Sequence, residues 1–148
     1  MDMIKLSVPG ALLFRNVVLR VTASACRLVR AMARAKQEPS PEDHEFDDKV
    51  VSAVSEAFNN VAIHAYRGNA AGTVDLEFEL HAQGITIRLR DTGLAFEPLA
   101  EHAPDPGVLR ESRMGLYIVR SCMDEVSYVA GSPPSTPNVL TLSKRYEP

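Results

Sequence analysis

The chain has 148 residues, of which 45% are hydrophobic and 24% charged, a composition typical of one globular domain and far from that of disordered chains. A formal net charge of −3 argues against a nucleic-acid partner, because the phosphate backbone is bound by an excess of basic side chains. Two cysteines are too few for a disulfide-stapled secreted scaffold, and arginines interrupt the longest apolar stretches. We therefore expect a cytoplasmic protein without a signal peptide or membrane span.

The N-terminal third predicts a short strand and an amphipathic helix. Apolar and polar residues alternate over Ile4–Val8, and a Pro-Gly pair ends the strand. From about Phe14 to Lys36 apolar residues recur at steps of three and four, and Arg20, Arg27 and Arg34 repeat every seventh position on the other face. This basic face is either solvated or a docking surface for a partner.

An acidic, proline-containing segment, Glu38–Glu45, follows the first predicted helix and is interpreted as a loop. Its charge could screen that of the basic helix. A second helix is expected from an N-cap at Asp47 or Asp48 to Tyr66, before a Gly-Asn pair that stops it.

The second half of the chain predicts two hairpins, a long loop and a third helix. The predicted elements are strands at Thr73–Leu80, Ile85–Leu89, Val126–Ala130 and Val139–Lys144, a loop at Asp91–Met114 and a helix at Met114–Met123. Alternation along the strands indicates a sheet covered on one face only. The element order therefore predicts an α+β fold, a two-layer α/β sandwich with helices on one face of a mixed, mostly antiparallel sheet, and a single domain over residues 1–148.

Three polar residues on the second predicted helix form a stripe. Glu56, Asn60 and His64 are spaced four apart, so they point within about 80° of one another, beside the apolar face that must pack on the sheet. A carboxylate, a carboxamide and an imidazole beside buried surface are costly to desolvate unless something polar meets them. The stripe is either a functional site or a solvated helix flank with ordinary hydrogen bonds.

Two further segments suit a ligand. The run Asp91 to Phe96 (DTGLAF) places an acid and Gly93 at a strand end, although any turn needs the same residues. The run Ser112 to Leu116 (SRMGL) places a glycine at a helix start, where backbone N–H groups and the helix dipole suit an anion such as phosphate. Each segment alone is weak support for a site.

In this order the three segments resemble the motifs of the ATP-binding domain shared by gyrase, heat-shock chaperones, histidine kinases and mismatch-repair ATPases (GHKL). Within that superfamily, the run Val54–Tyr66 (VSEAFNNVAIHAY), with Met123–Val126 and Leu140–Arg145, resembles the bacterial anti-sigma factor serine-protein kinases. The resemblance spans about Ile4 to Arg145. It implies a Bergerat-type ATP-binding fold that uses ATP and Mg²⁺.

The resemblance gives the stripe and the first segment specific roles. Asn60 would coordinate Mg²⁺ through its amide oxygen, and His64 would be among the nucleotide-binding residues. Glu56 would accept or orient the proton of an attacking hydroxyl as the catalytic residue. Asp91 would accept a hydrogen bond from the adenine amino group, and Gly93 would let the backbone approach the base.

The resemblance also assigns the second segment and the last strand. A lid over ATP would span residues 94–113. Thr141 on the last strand would reach the adenine side. The phosphates would face the start of the third helix, at Arg113, Met114, Gly115 and Leu116.

Two residues depart from the family pattern. Ala95 and Arg113 stand where such kinases usually have a second glycine in each motif, and Arg113 could instead contact phosphate as a permanent cation.

Three functions therefore remain open. The first is a serine/threonine protein kinase that phosphorylates an anti-sigma factor antagonist of the sulfate-transporter and anti-sigma-antagonist type (STAS) and sequesters a sigma factor. The second is a partner-binding module that has lost nucleotide, and the third is a stand-alone ATPase. The N-terminal strand and first helix are candidates for a homodimer surface.

Overall fold

The computed structural model describes residues 2–34, 40–66, 72–95, 111–132 and 135–147. In these ranges it contains a five-stranded antiparallel sheet with helices on one face. The strands are β1 (Asp2–Pro9), β2 (Thr73–His81), β3 (Gly84–Asp91), β4 (Glu125–Val129) and β5 (Asn138–Arg145), in the spatial order β1-β2-β3-β5-β4. The helices are α1 (Arg15–Ala33), α2 (Pro41–Asn60) and α3 (Glu111–Cys122). Among the helices of these ranges, none is long and apolar enough to cross a membrane.

The two faces of the sheet differ in polarity, as the alternation predicts. On the face turned away from the helices, charged side chains pair across strands, with Arg88 2.7 Å from Glu79 and Arg90 2.6 Å from Glu77. One face of β2 and β3 packs under the helices and is built from the buried residues Val74, Leu76, Phe78, Leu80, Ile85, Ile87 and Leu89. The α+β sandwich expected from the sequence is thus confirmed.

The strand pairings are more uniform than expected. A mixed, mostly antiparallel sheet was predicted, but all four pairings among the described residues are antiparallel. Strands β1 and β2 pair antiparallel because two helices connect them. Helix α1 carries the chain away from the end of β1 and α2 brings it back, so β2 begins opposite that end, with Pro9 paired to Thr73.

The part of the acidic segment from Pro41 to Glu45 belongs to α2, which corrects two expectations. The predicted N-cap at Asp47 or Asp48 was wrong, because α2 begins at Pro41 after Ser40. Proline is favourable at a first helical position, and the Asp43 carboxylate accepts the backbone N–H of Ser40 at 2.7 Å. Acidic residues in the first turn also complement the helix dipole, so they start this helix rather than precede it.

The far end of α2 changes its hydrogen bonding. The α-helix ends at Asn60 and continues as a π-helical turn over Val61–Ala65, in which the N–H of Tyr66 bonds the carbonyl of Val61 at 3.2 Å.

Helix α1 ends at Ala33 rather than Lys36, and α3 begins at Glu111 rather than Met114. Most of the predicted lid, residues 96–110, lies outside the described residues.

Ion pairs join α1 to the start of α2. Arg30 lies 2.8 Å from Asp47, and Arg34 lies 3.0 Å from Asp43. The Asp43 side chain also accepts the hydroxyl of Tyr146, from the chain segment after β5. This hydrogen bond is the main cause that lowers the pKa of Asp43, whereas burial and the same carboxylate raise the pKa of Tyr146 to about 12. The basic helix and the acidic segment therefore meet directly.

Replacing Asp43 with asparagine should lower the free energy of unfolding by about 2 kcal/mol. The asparagine carries no charge to pair with Arg34, and its amide N–H₂ is a donor where this buried network needs an acceptor. Equilibrium unfolding in urea measures this difference. Asp48→Asn is the matched control, since Asp48 is exposed on the same helix, and it should change the free energy by less than about 0.5 kcal/mol. Equal effects of the two substitutions would contradict the prediction.

The stabilisation by Asp43 should depend on pH. Its pKa in the folded chain lies below the ordinary value of 3.8, so the folded state binds fewer protons than the unfolded state in the range between the two values. The contribution is complete above the unfolded value and is lost as the pH falls through the folded one. The difference in unfolding free energy between wild type and Asp43→Asn should shrink below about pH 4. A difference that stays constant down to about pH 2 would argue against it.

Candidate functional site

The start of α3 packs against the polar stripe of α2. Glu56 is half-buried and Asn60 is 5% exposed. A Cβ atom at Gly115 would lie 2.8 Å from Glu56 Oε2 and 3.6 Å from Asn60 Oδ1. Because glycine has no Cβ, α3 can approach the side-chain oxygens of Glu56 and Asn60 closely at this point. The structure therefore brings Glu56, Asn60 and Gly115 together, as expected.

The acid at the end of β3 is buried. Asp91 is 4% exposed, and its Oδ1 accepts the backbone N–H of Gly93 at 3.0 Å and the amide of Asn138 at 3.1 Å. Burial raises the pKa of Asp91, and these two hydrogen bonds partly offset the rise because they favour the ionised form. The carboxylate is thus a fixed hydrogen-bond acceptor within the fold.

The turn after β3 lies directly against the end of α2. A Cβ at Gly93 would lie 2.5 Å from the carbonyl oxygen of Ala65, so only glycine permits this approach. The same carbonyl accepts the N–H of Leu94 at 2.9 Å. The π-helical turn therefore places the Asp91 segment beside the helix that carries Asn60, and π-helical turns are frequent at functional sites.

Asn138 is a site residue that the sequence did not reveal. It is fully buried, its amide nitrogen donates to Asp91 and to the carbonyl of Gly93 at 3.0 Å, and its amide oxygen accepts the N–H of Gly131 at 2.9 Å. The strand was predicted to begin one residue later, at Val139. The available signal was an amide side chain just before an alternating strand, and the pairing of β3 with β5 places it opposite Asp91.

Thr141 lies on the same strand but not at this site. Alternation places the buried Leu140 and Leu142 toward the helices and Thr141 on the opposite face. There it is paired in register with Arg88 on one side and Ser127 on the other. The structure therefore does not bring Thr141 to Asp91, and Asn138 supplies the polar contact from β5 instead.

The remaining predicted residues are described only in part. The backbone of His64 lies in the π-helical turn, and the backbones of Arg113 and Met114 lie in the first turn of α3. The side chains of these three residues lie outside the described part of the structure. Leu116 is half-buried on α3, and Ala95 is exposed just after the Asp91 turn.

The donor set at the stripe fits a hard cation that brings other ligands with it. Glu56 and Asn60 offer a carboxylate and an amide oxygen, which are ligands suited to Mg²⁺. Among the described residues there is no cluster of three or more His, Cys, Asp or Glu side chains that could hold a metal ion. A cation at Asn60 would therefore take most of its ligands from a bound phosphate group and water.

Comparison with known proteins agrees with this geometry. Residues 18–144 match the model of the histidine kinase-like ATPase domain. The chain is 32% identical over 114 residues to the anti-sigma F factors of Bacillus cereus (strain ATCC 14579), Bacillus thuringiensis (strain Al Hakam) and Bacillus mycoides (strain KBAB4), and each match covers 72% of this chain and 74% of the relative. The chain therefore belongs to the histidine kinase-like ATPase domain family.

Proposed function

We propose that this protein is an ATP-dependent serine/threonine protein kinase that acts as an anti-sigma factor. The single observation that carries the proposal is the close contact of α3 with α2, where Gly115 lies against the side-chain oxygens of Glu56 and Asn60. The family membership supports nucleotide binding, and the similarity to anti-sigma F factors supports the anti-sigma role.

ATP would lie between the Asp91 turn and the start of α3. The buried Asp91 carboxylate would accept a hydrogen bond from the adenine amino group, and the backbone at Gly93 would approach the base. The phosphates would face the N-terminal part of α3 at Gly115, where the helix dipole favours negative charge. Asn60 would hold Mg²⁺ through its amide oxygen, and the ion would neutralise charge on the phosphates.

Glu56 would act on the protein substrate. Its carboxylate accepts the proton of a serine or threonine hydroxyl while the hydroxyl oxygen attacks the γ-phosphorus of ATP and ADP leaves. The products are a phosphorylated protein and ADP. Glu56 lies one helical turn before Asn60, so the base and the ligand for the cation face the same space.

The protein substrate would be an anti-sigma factor antagonist of the STAS type, and the protein held in its absence would be a sigma factor. A homodimer surface on the N-terminal elements is part of this proposal. Apolar side chains are exposed there, with Leu13 85%, Leu12 51% and Val17 47% exposed. Such a group of exposed apolar residues favours a protein contact.

The second candidate is a partner-binding module that no longer uses nucleotide. The observation in its favour is Arg113, which stands where such kinases usually have glycine, beside the expected phosphate position. Calorimetry with ADP and Mg²⁺ separates the two functions. Binding in the micromolar range would contradict the module, and no detectable binding would contradict the kinase.

Glu56→Gln should reduce phosphate transfer to the antagonist at least about 100-fold, because the amide cannot accept the hydroxyl proton. Transfer from radiolabelled ATP measures the rate, and calorimetry should show ADP affinity within about threefold of wild type. Glu42→Gln is the control: Glu42 is exposed on the same helix, about 21 Å from Glu56. Full labelling in Glu56→Gln would exclude Glu56 as the base.

Asn138→Ala should weaken ADP binding about tenfold and lower the free energy of unfolding by about 2 kcal/mol, because the buried Asp91 loses a donor. Calorimetry and urea unfolding measure the two effects. Thr141→Ala on the same strand is the control, and ADP affinity there should stay within about twofold of wild type. A stronger effect of Thr141→Ala than of Asn138→Ala would reverse the assignment.

A further inference from the structure

The aromatic ring of Tyr66 fits into a space bounded by two glycines. Tyr66 directly follows the π-helical turn and is 7% exposed. A Cβ at Gly10 would lie 2.4 Å from its Cδ2, and a Cβ at Gly72 would lie 2.0 Å from its Cε1. The two glycines are joined by a backbone hydrogen bond of 2.8 Å, just beyond the last residue pair of β1 and β2. The ring is therefore fixed in place by the backbone on both sides.

The hydroxyl of Tyr66 lies between the ends of β2 and β3. It donates to the carbonyl of Thr73 at 2.7 Å and accepts the N–H of Thr92 at 3.0 Å. The last pair of these strands is Val74 with Asp91, so one further step would place Thr73 opposite Thr92. The hydroxyl thus takes the place of a direct backbone hydrogen bond and keeps the two strand ends apart by one oxygen atom.

Thr92, whose N–H the Tyr66 hydroxyl accepts, lies within the candidate adenine site. Thr92 stands between Asp91 and Gly93, and the next two residues are fixed by Ala65 through the close contact of Gly93 and the bond from Leu94. The end of α2 therefore fixes three consecutive residues after the carboxylate. We infer that Tyr66 is a positioning residue for adenine recognition, acting through the backbone of Thr92 on Asp91.

This inference rests on the proposed nucleotide binding and concerns the hydroxyl rather than the ring. A phenylalanine would fill the same space between Gly10 and Gly72, but it would leave the Thr92 N–H and the Thr73 carbonyl without their bridging partner. The strand ends can then close on each other or open to water, and either change displaces the adjacent Asp91. The proposed phosphate contacts at the start of α3 would be made by another element and should be unaffected.

The test compares ADP with inosine diphosphate, which carries a carbonyl oxygen where adenine has its amino group. Wild type should prefer ADP because Asp91 accepts that amino group. Tyr66→Phe should bind ADP about tenfold more weakly than wild type does, and its affinity for inosine diphosphate should stay within about twofold of wild type. The ratio of the two affinities, which is the preference for ADP, should therefore fall. Calorimetry with Mg²⁺ measures both affinities. Amide hydrogen exchange without nucleotide should show faster exchange at Thr92 in the variant.

Tyr146→Phe is the matched control. It also removes a tyrosine hydroxyl that bonds inside the fold, but its partner Asp43 lies about 25 Å from Asn60 along α2. It should lower stability and leave the preference for ADP unchanged. An unchanged preference in Tyr66→Phe, or an equal loss in both variants, would overturn the positioning role alone. A wild type that binds neither diphosphate would overturn the proposed nucleotide binding, and the positioning role with it.

Discussion

The contact between the end of α2 and the turn after β3 determines where the candidate site lies. The carbonyl of Ala65 accepts the N–H of Leu94, and Gly93 is close enough to that carbonyl to exclude any side chain. Without this contact the Asp91 carboxylate and the Asn60 amide would belong to separate layers of the sandwich, one on the sheet and one on a helix. The carbonyl of Ala65 is available for this contact because Ala65 is the last residue of the π-helical turn, where carbonyl groups have no partner within the helix.

Helix α2 is fixed at both ends by different interactions. At its start, Asp43 is bonded by Arg34, the residue after α1, and by Tyr146 from the segment after β5. At its other end, Tyr66 and the π-helical turn bond the strand ends of the sheet. Glu56 and Asn60 lie near the second end, so their positions relative to the sheet are set by backbone contacts rather than by side-chain packing alone. Rigid elements of this kind place functional groups more accurately than loops do.

The sequence predicted most of the fold because alternation and helical periodicity are strong local signals. The start of α2 was missed because its capping acid, Asp43, lies in a segment whose prolines and acids are also typical of loops. The stripe of Glu56 and Asn60 could be predicted, since helical spacing alone puts both on one side. Asn138 could not, because its role depends on which residue of β3 it faces, and pairing register between distant strands is not encoded locally.

The backbone also bears on the two departures from the family pattern. Arg113 lies within α3, whose helical conformation any L-residue adopts, so an arginine there requires no left-handed backbone. Ala95 is exposed, beyond the point at which Gly93 meets Ala65. Among these motif positions the described contacts require glycine at Gly93, where an added Cβ would meet the carbonyl oxygen of Ala65. At Gly115 an added Cβ would displace the end of the Glu56 side chain, and both glycines are present. The departures therefore fall where the backbone tolerates a side chain, which favours a site that keeps its nucleotide over a module that has lost it.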